Sequence, residues 1–242
     1  METHKTSLII FLLIIIFAII HSGGAALRSK GETLIGPRAW RLFFVSLSLP
    51  SAVVLISYFL AHRYDGIRLW NFQGNNFVFL LVWTLTAISF LFLYPATYNL
   101  LEIPSVKKPR IRIYSTGIIR VTRHPQAFGQ IIWCVAHTLW IGTSFTLITS
   151  MGLIFHHIFA IWHGDKRLEI KFGEEFNKFK KTTSIIPFAA IIDGRQKIKP
   201  KEFLKFSQLG IIIAIAVIWW SHKYINIAVT TFNSSFISEF LN

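Results

Sequence analysis

The side chains of this sequence that could carry chemistry are histidines and one cysteine within strongly apolar stretches. His21 follows the run LIIFLLIIIFAII, and His137 lies three residues after Cys134 in the stretch RHPQAFGQIIWCVAHTLWIG. Histidine is a common ligand of haem iron, and two imidazoles from facing helices can ligate one iron. An unpaired imidazole is costly in hydrocarbon, so a shared metal would account for both His21 and His137.

Each of these residues also has an interpretation without a metal. A histidine in an apolar span can hydrogen-bond to another helix, and a lone cysteine is often a small residue of the core. Cys134 is kept as a candidate ligand because it lies about one helical turn before His137. Three further histidines, on the next apolar span, are weaker ligand candidates: His156, His157 and His163.

The tripeptide formed by Arg123, His124 and Pro125 stands at the start of the helix predicted to carry the cysteine. Proline suits the first turn of a helix, where its missing N–H is no loss. A helix N-terminus beside an arginine can bind an anion, which makes Arg123 and His124 candidates for cofactor binding. The alternative is a basic anchor for lipid phosphate. The basic run 166–181 is interpreted as a solvated or lipid-headgroup face.

The composition sets the environment in which these groups must work. The chain has 242 residues, of which 53% are hydrophobic and only 15% are charged, whereas about 25% of a typical soluble domain is charged. Several apolar runs approach about 20 residues, the length that crosses a bilayer as a helix. We therefore expect an all-α integral membrane protein with a single domain over residues 1–242. The single cysteine excludes a disulfide within the chain.

The hydrophobic pattern predicts a bundle of about six transmembrane helices. The expected spans are residues 7–27, 42–61, 76–94, 125–142, 143–163 and 208–229. The apolar segment Ile185–Ile192 is too short to cross a bilayer, so it is expected to lie at the interface or to pack as a re-entrant piece.

Polar and small residues are arranged in stripes on two of these helices. Residues three and four positions apart share a helix face. The fourth helix has such a stripe at Gln126, Gln130, Cys134, His137 and Ile141. The fifth helix has one at Thr149, Gly152, His156, Ala160 and His163. The small residues Gly129 and Ala136 would let another helix approach the fourth closely.

The net charge of +14 could suggest a nucleic-acid partner, but the location of the charges favours a membrane surface. Three loops, 28–41, 95–124 and 164–207, contain 21 of the 25 Lys and Arg residues. The positive-inside rule places these loops on the cytoplasmic or stromal side and both termini on the far side. We therefore expect an anionic membrane face as the partner of the basic residues, and no nucleic acid.

The first span is expected to stay in the protein. Glu2 offsets Lys5, so the basic n-region of a signal peptide is missing, and Arg28 and Lys30 follow the span. No Ser- and Arg-rich leader precedes it either. We therefore expect a cyanobacterial-type membrane, thylakoid or cell, or a plastid membrane that holds a plastid-encoded or mature chain.

Several long strings of this sequence resemble the NnrU family, and in particular its carotenoid-pathway branch. They are RHPQAFGQIIWCVAHTLWIG, HHIFAIWHGDKRL, FGEEF and KKTTSIIPFAAIIDGRQ, with HSGGAALR at 21–28 and GPRAWRLFF at 36–44. The resemblance is dense over residues 117–196 and fades after about 205. Strings of this length are specific for a family, whereas the tripeptide RHP alone would not be.

The resemblance implies a membrane protein that carries haem b and isomerises a carotenoid. The implied reaction turns the central 15–15′ double bond of 9,15,9′-tri-cis-ζ-carotene from cis to trans and gives 9,9′-di-cis-ζ-carotene. The implied haem ligands fall on His21 and His137, and Cys134 is the implied alternative ligand or redox-sensitive partner. These three are the implied catalytic residues. The implied partners are a lipid-soluble carotenoid and membrane lipids, with an electron donor that the sequence does not identify.

Two other function classes stay open. The pattern RHPxxxG followed by xxxFGxxF is similar to that of isoprenylcysteine and phospholipid methyltransferases, which bind S-adenosylmethionine in the membrane. Those enzymes carry paired glutamates where this chain has Gly164 and Asp165. The loss of the first carboxylate argues against that cofactor. The third class is a non-catalytic haem or regulatory membrane protein like NnrU itself.

Overall fold

The computed structural model describes residues 2–101, 113, 116–203 and 206–241. It is 81% helical and has no β-strand in this part of the chain, which confirms the predicted all-α class. The only strand-like pairing among these residues is an isolated antiparallel bridge between Arg68 and Thr143.

The helices are numbered in chain order. They are α1 (Glu2–Ala18), α2 (Arg28–Ile35), α3 (Pro37–His62), α4 (Asn76–Leu101), α5 (Pro125–Ile141), α6 (Ser144–Phe172), α7 (Glu174–Thr182), α8 (Ala189–Ile192) and α9 (Phe206–Leu241). A π-helical turn, Ile19–Gly23, continues α1 into a last turn at Gly24–Ala26. Two 3-10 turns lie at Gly117–Arg120 and Pro200–Glu202.

Four stretches of the described helices are long and apolar enough to cross a membrane. They are Lys5–Ala26, the whole of α3, Asn76–Leu93 within α4, and the whole of α6. Helix α5 is shorter, at 17 residues, and α9 contains a shorter apolar stretch at Gly210–Ile225. The outer surface fits a lipid environment, because large apolar side chains such as Leu42 and Ile212 are exposed there.

Several helices extend into, or lie within, segments that the hydrophobic pattern assigned to loops, as α6 and α2 illustrate. The predicted fifth span ended at residue 163, whereas α6 continues to Phe172. Helix α2 lies wholly within the predicted loop 28–41. Hydropathy marks where a helix leaves the bilayer and not where its hydrogen bonding ends, so a helix can be longer than its predicted span. The continuation of α6 places Asp165 on the same rigid element as His156.

Four helices meet in a buried apolar cluster. Its members come from α1, α3, α5 and the first turn of α6: Ile10, Ile14, Leu55, Phe59, Ile141 and Phe145. Ile14 of this cluster also joins α1 to α6, because a Cβ added at Gly152 would lie 2.9 Å from Cδ1 of Ile14. The face of α6 that carries Gly152 is therefore the face toward α1.

Helices α4 and α5 form the most extensive helix pair. Gly129 lies at their crossing, where an added Cβ would be 2.6 Å from Cγ of Leu93 and 2.9 Å from the carbonyl oxygen of Ser89. The Ser89 hydroxyl donates a 2.7 Å hydrogen bond to the carbonyl oxygen of Gly129. The prediction that Gly129 allows close helix approach is confirmed.

At one end of the bundle, the α3–α4 loop pairs with the α5–α6 turn. The backbone N–H of Leu69 donates to the carbonyl oxygen of Gly142 at 2.7 Å, and that of Ser144 donates to Ile67 at 2.9 Å. The indole N–H of Trp70 donates to the carbonyl oxygen of Leu139 at 2.9 Å. The two loops that the charge count placed together on the far side therefore lie at the same end.

Parts of two basic loops, 95–124 and 164–207, meet at the opposite end. The side chain of Arg167 donates to the carbonyl oxygen of Ala25, which brings the end of the first span to α6. The Arg120 guanidinium binds Glu202 with Nε and Nη2 at 2.7 and 2.8 Å. The segment Ile185–Ile192 packs on this end through the N–H of Phe188, which donates to Val121 at 2.9 Å.

Candidate functional site

The RHP corner is built around a carboxylate of this chain. The Arg123 guanidinium donates to Oδ2 of Asp165 from Nε at 3.0 Å and from Nη2 at 2.8 Å. Nε2 of His124 lies 2.9 Å from Oδ1 of the same carboxylate. These side chains are only 10 to 15% exposed. Because water screens the ion pair little, Asp165 holds α6 firmly against the start of α5.

The corner has the anion-binding chemistry that the sequence predicts, and Asp165 supplies the anion. His124 is the N-cap residue of α5, without a capping hydrogen bond from its side chain. The backbone N–H of Arg123 donates to the carbonyl oxygen of Ser184 at 2.9 Å. The groups of Arg123 and His124 that could bind a cofactor thus serve an internal contact between helices. Their predicted role in cofactor binding stays a prediction.

A groove runs beside this corner, between α5 and α6. Its volume is about 730 Å³, within the range of roughly 300–1,000 Å³ that is usual for small-molecule sites. The apolar wall consists of Phe128, Ile131, Ile158, Ile161, Trp162 and Ile185. Ile158 and Trp162 are more than half exposed on the outside of the bundle. The groove is therefore open to the surface that the lipid would cover.

His137 lies near the end of α5 with its tautomer set by the backbone. Its Nδ1 is 3.0 Å from the carbonyl oxygen of Trp133, and a carbonyl can only accept. In the neutral ring, Nδ1 therefore carries the proton and Nε2 keeps the lone pair that a metal requires. The Trp133 ring stacks on the imidazole with centroids 3.8 Å apart.

Cys134 is fully buried where α5 meets α6. Its sulfur lies 3.9 Å from Nε2 of Gln130, and its carbonyl oxygen accepts from the Ser150 hydroxyl at 3.4 Å. The neighbouring hydroxyls of Thr138 and Ser150 are 2.7 Å apart. These contacts fit a small core residue as well as an alternative ligand, so the structure leaves both interpretations of Cys134 in place.

His21 lies in the π-helical turn that follows α1. Its Nδ1 is 2.7 Å from the Ser48 hydroxyl of α3, and its ring stacks on Phe17 with centroids 5.1 Å apart. The ring of Phe44 lies 5.5 Å away on another side. One-turn π-helices occur often at functional sites because they re-aim a side chain. Here the turn aims His21 toward α3 and α6.

The structure brings His21 to His156 and not to His137. Phe17 contacts both His21 and His156, the latter with ring centroids 5.6 Å apart. No contact between His21 and His137 occurs among the described residues, where the His137 ring contacts Trp133.

The helix geometry explains the separation. Thr138 is level with Ser150, because their hydroxyls are in contact. His156 lies six residues further along α6, or about 9 Å at a rise of about 1.5 Å per residue. His21, which is level with His156, is therefore displaced from His137 along the bundle axis. The predicted pairing of His21 with His137 stays a prediction that this conformation does not display.

His156, a weaker ligand candidate by sequence, shares Phe17 as a neighbour with His21. The sequence signal for this position is Gly152, one turn earlier on the same stripe, because a glycine on a polar stripe marks close approach of another helix. In the described part of the chain, no three side chains of His, Cys, Asp or Glu converge as a metal site. A metal held here would rely on a pair of ligands, as a haem iron does.

Together, the apolar helices and the histidines between them define a helical membrane protein with the ligand types for a prosthetic group. The chain belongs to the NnrU family, whose model, described as NnrU protein, matches residues 9–229. No solved structure matches this chain.

Two curated relatives are similar to most of this chain. The "15-cis-zeta-carotene isomerase, chloroplastic" of Zea mays is 50% identical over 224 residues, which cover 91% of this chain and 61% of the relative. The protein of the same name from Arabidopsis thaliana is 50% identical over 214 residues, covering 87% of this chain and 58% of the relative. The chain thus spans about three fifths of the length of these relatives.

Proposed function

We propose that this chain is a 15-cis-ζ-carotene isomerase. It would turn the central 15–15′ double bond of 9,15,9′-tri-cis-ζ-carotene from cis to trans and release 9,9′-di-cis-ζ-carotene. The observation that carries the proposal is the 50% identity with two relatives of that name over 91% and 87% of this chain. Because both relatives are called chloroplastic, we place the protein in a plastid membrane, with a cyanobacterial-type membrane as the alternative.

The groove between α5 and α6 supports a substrate that arrives through the lipid. A C40 hydrocarbon offers no group for hydrogen bonding, so its site needs apolar walls and an opening toward the bilayer. The wall formed by Phe128, Ile131 and Ile158 meets the first need, and the exposure of Trp162 indicates the opening. Arg123 lies on the charged rim of the groove, so the polyene would bind against the apolar wall.

We further propose that the chain holds haem b, which would supply an electronic interaction that lowers the double-bond order of the central bond. His21 fits one ligand position, because Ser48 holds its Nδ1 and leaves Nε2 for the metal. His137 also has its Nε2 lone pair available. The two do not face each other in this conformation, so we derive no step that requires both of them.

The residues of the chain have defined roles in this proposal. Ser48 would orient the imidazole of His21, and the carbonyl oxygen of Trp133 would orient that of His137. Cys134 is proposed as the alternative ligand. Asp165 would position α5 against α6 by binding Arg123, and so maintain the shape of the groove. No net electron leaves the substrate.

The experiment is expression in a host that accumulates 9,15,9′-tri-cis-ζ-carotene, followed by chromatography of its carotenoids in the dark. We expect conversion to the 9,9′-di-cis isomer. His137→Ala is the variant expected to lose activity. His163→Ala is the matched histidine variant expected to keep activity, since the His163 ring contacts exposed aromatic rings.

An unchanged isomer profile, with the protein present in the membrane, would reject the isomerase. Haem in such an inactive protein would instead support a non-catalytic NnrU-like protein. Saturable binding of S-adenosylmethionine to the purified protein would support the methyltransferase alternative, for which Asp165 is the remaining carboxylate of the paired glutamates.

A further inference from the structure

Two contacts fix the register between α5 and α6. The hydroxyls of Thr138 and Ser150 are 2.7 Å apart, and Arg123 binds Asp165. The chain runs back 15 residues from Thr138 to Arg123 and forward 15 residues from Ser150 to Asp165. The two helices are therefore antiparallel, and because each rises about 1.5 Å per residue, every position on α5 has a matching level on α6.

The apolar part of the groove between these helices ends at the ion pair of Arg123 and Asp165. Its wall on α6 begins at Ile158, seven residues before Asp165, or about 10 Å along the helix. Phe128 and Ile131 line it from α5 at similar levels. Because the two charged side chains are only 10 and 15% exposed and bind each other, a hydrocarbon that ends against them leaves neither charge unpaired.

The outer end of the groove lies where the basic loops meet. Ile185 lines it there, and the carbonyl oxygen of Ile185 accepts a 2.5 Å hydrogen bond from the Thr122 hydroxyl beside the ion pair. Next to it, the ammonium of Lys166 lies 5.5 Å from the centre of the exposed Trp162 ring. The groove therefore extends from the charged end of the bundle toward the middle of the membrane helices.

The substrate proposed above has two equal arms on either side of its central double bond. The carbon chain of one arm, with about 16 atoms, spans at most about 19 Å, since a zigzag chain advances roughly 1.2 Å per bond. The cis bond within each arm shortens this span. An arm is therefore longer than the apolar wall between Ile158 and Asp165, and its inner part must extend beyond Ile158.

The length of an arm determines which level its inner end reaches. A span of about 15–19 Å measured from Asp165 corresponds to roughly 10–13 residues of helix, which leads to residues 152–155 of α6. By the register, those residues are level with 133–136 of α5, the turn that holds Cys134. An arm whose end meets the ion pair would thus place the central double bond opposite that turn.

We propose that the groove binds one arm of the carotenoid with its chain end against the ion pair of Arg123 and Asp165, and that this contact selects the central double bond. The inference rests on the proposed function for the identity of the substrate. It accounts for the selectivity, because the cis bond at position 9 is six bonds nearer the chain end, about 7 Å, and stays inside the groove. Ile158 and Ile185 are then residues that determine specificity.

The test compares two substrates with the full chain purified in detergent. One is 9,15,9′-tri-cis-ζ-carotene, and the other is its C30 analogue, which has the same central bond but lacks the last five-carbon unit of each arm. Ile185→Trp should lower kcat/KM for the C40 substrate by about tenfold, mainly through KM, because the added ring fills the space of the chain end. The C30 arm is about 5 Å shorter, so its kcat/KM should change little.

Three further variants control this test. Ile192→Trp is the matched control on the same segment, because Ile192 is 83% exposed and does not line the groove, and it should leave both substrates unaffected. Ile158→Trp should impair both substrates, since both arms pass the inner end of the groove. Ile185→Phe is the smaller change that decides the question if the thermal midpoint shows that Ile185→Trp is unfolded.

The ratio of the two kcat/KM values is the deciding measurement. A folded Ile185 variant with the ratio of the parent overturns the proposal, whether both values stay the same or fall together. Isomerisation of the C40 substrate by the parent leaves the proposed function in place in that case. A parent that leaves the C40 substrate unchanged rejects the proposed function, and this inference with it, so the two failures are distinguishable.

Discussion

The carboxylate of Asp165 accepts two hydrogen bonds from the guanidinium of Arg123, at 2.8 and 3.0 Å, and thereby joins α6 to the start of α5. The two residues are 42 positions apart in the chain. Through this contact, the basic motif at the start of α5 joins two membrane helices. The contact lies at the rim of the apolar groove.

We expect Asp165→Asn to destabilise the protein by about 2–3 kcal/mol, because it removes the charge that balances Arg123 and His124 in a largely buried site. The thermal midpoint in detergent measures the effect. Glu169→Gln is the matched control, since its 3.4 Å pair with Lys180 is well exposed, and exposed pairs contribute about 0–1 kcal/mol. Equal decreases in the thermal midpoint of both variants would contradict the role of Asp165 in joining α6 to α5.

Ser48→Ala should weaken haem binding about tenfold, because the loss of a hydrogen bond that orients a ligating histidine typically costs 10–100-fold in metal affinity. Haem titration of the purified protein checks this. Ser51→Ala serves as the control on the same helix, because the Ser51 hydroxyl donates only to the carbonyl oxygen of Ser48, at 2.8 Å. If both serine variants bind haem like the parent, His21 does not depend on Ser48.

Gly142→Ala should destabilise the protein by about 3 kcal/mol. Two effects add up, because alanine disfavours the left-handed backbone conformation of this position and its methyl group would clash with a neighbour. Its φ is +70°, and an added Cβ would lie 2.3 Å from the carbonyl oxygen of Trp70. Gly74→Ala separates the two causes, because Gly74 has a φ of +91° but open space around it, so only about 1–2 kcal/mol is expected there. Thermal unfolding of both variants in detergent is the measurement.

The contact between Glu202 and Arg120 should make stability depend on pH in the acid range. The Arg120 guanidinium and the N–H of Gly117 lower the pKa of the Glu202 carboxyl from 4.5 to about 2. A lowered folded-state pKa means that the contact stabilises the fold above pH 4.5 and that this stability is lost as the pH falls toward 2.

The difference in thermal midpoint between the parent and Glu202→Gln should therefore shrink between pH 5 and pH 2. Asp193→Asn is the exposed comparison, because the Asp193–Arg195 pair is more than 40% exposed at both side chains, and should show a smaller change. A difference that stays constant over this range would show that the Glu202 carboxylate does not stabilise the fold.

The helical class followed from the sequence because hydrophobic runs of membrane length leave the backbone no other way to satisfy its hydrogen bonds in lipid. The helix-packing role of Gly129 was also predictable, since a small residue on a membrane helix has one common use. The length of α6 was not predictable from the sequence, because charged residues such as Lys166 can follow an apolar span within one continuous helix.

The sequence by itself determined which residues have the chemistry of ligands and which ends of the spans are basic. Residue type and the 3.6-residue period are local properties, so they identify His21, His137 and His156 as side chains on helix faces. The tertiary structure alone decided which of these faces meet. The crossing of Gly152 with Ile14 sets α6 against α1 and puts His156 beside His21. Likewise, only the packing of α5 on α6 directed the RHP corner to Asp165, because helix contacts depend on positions far apart in the chain.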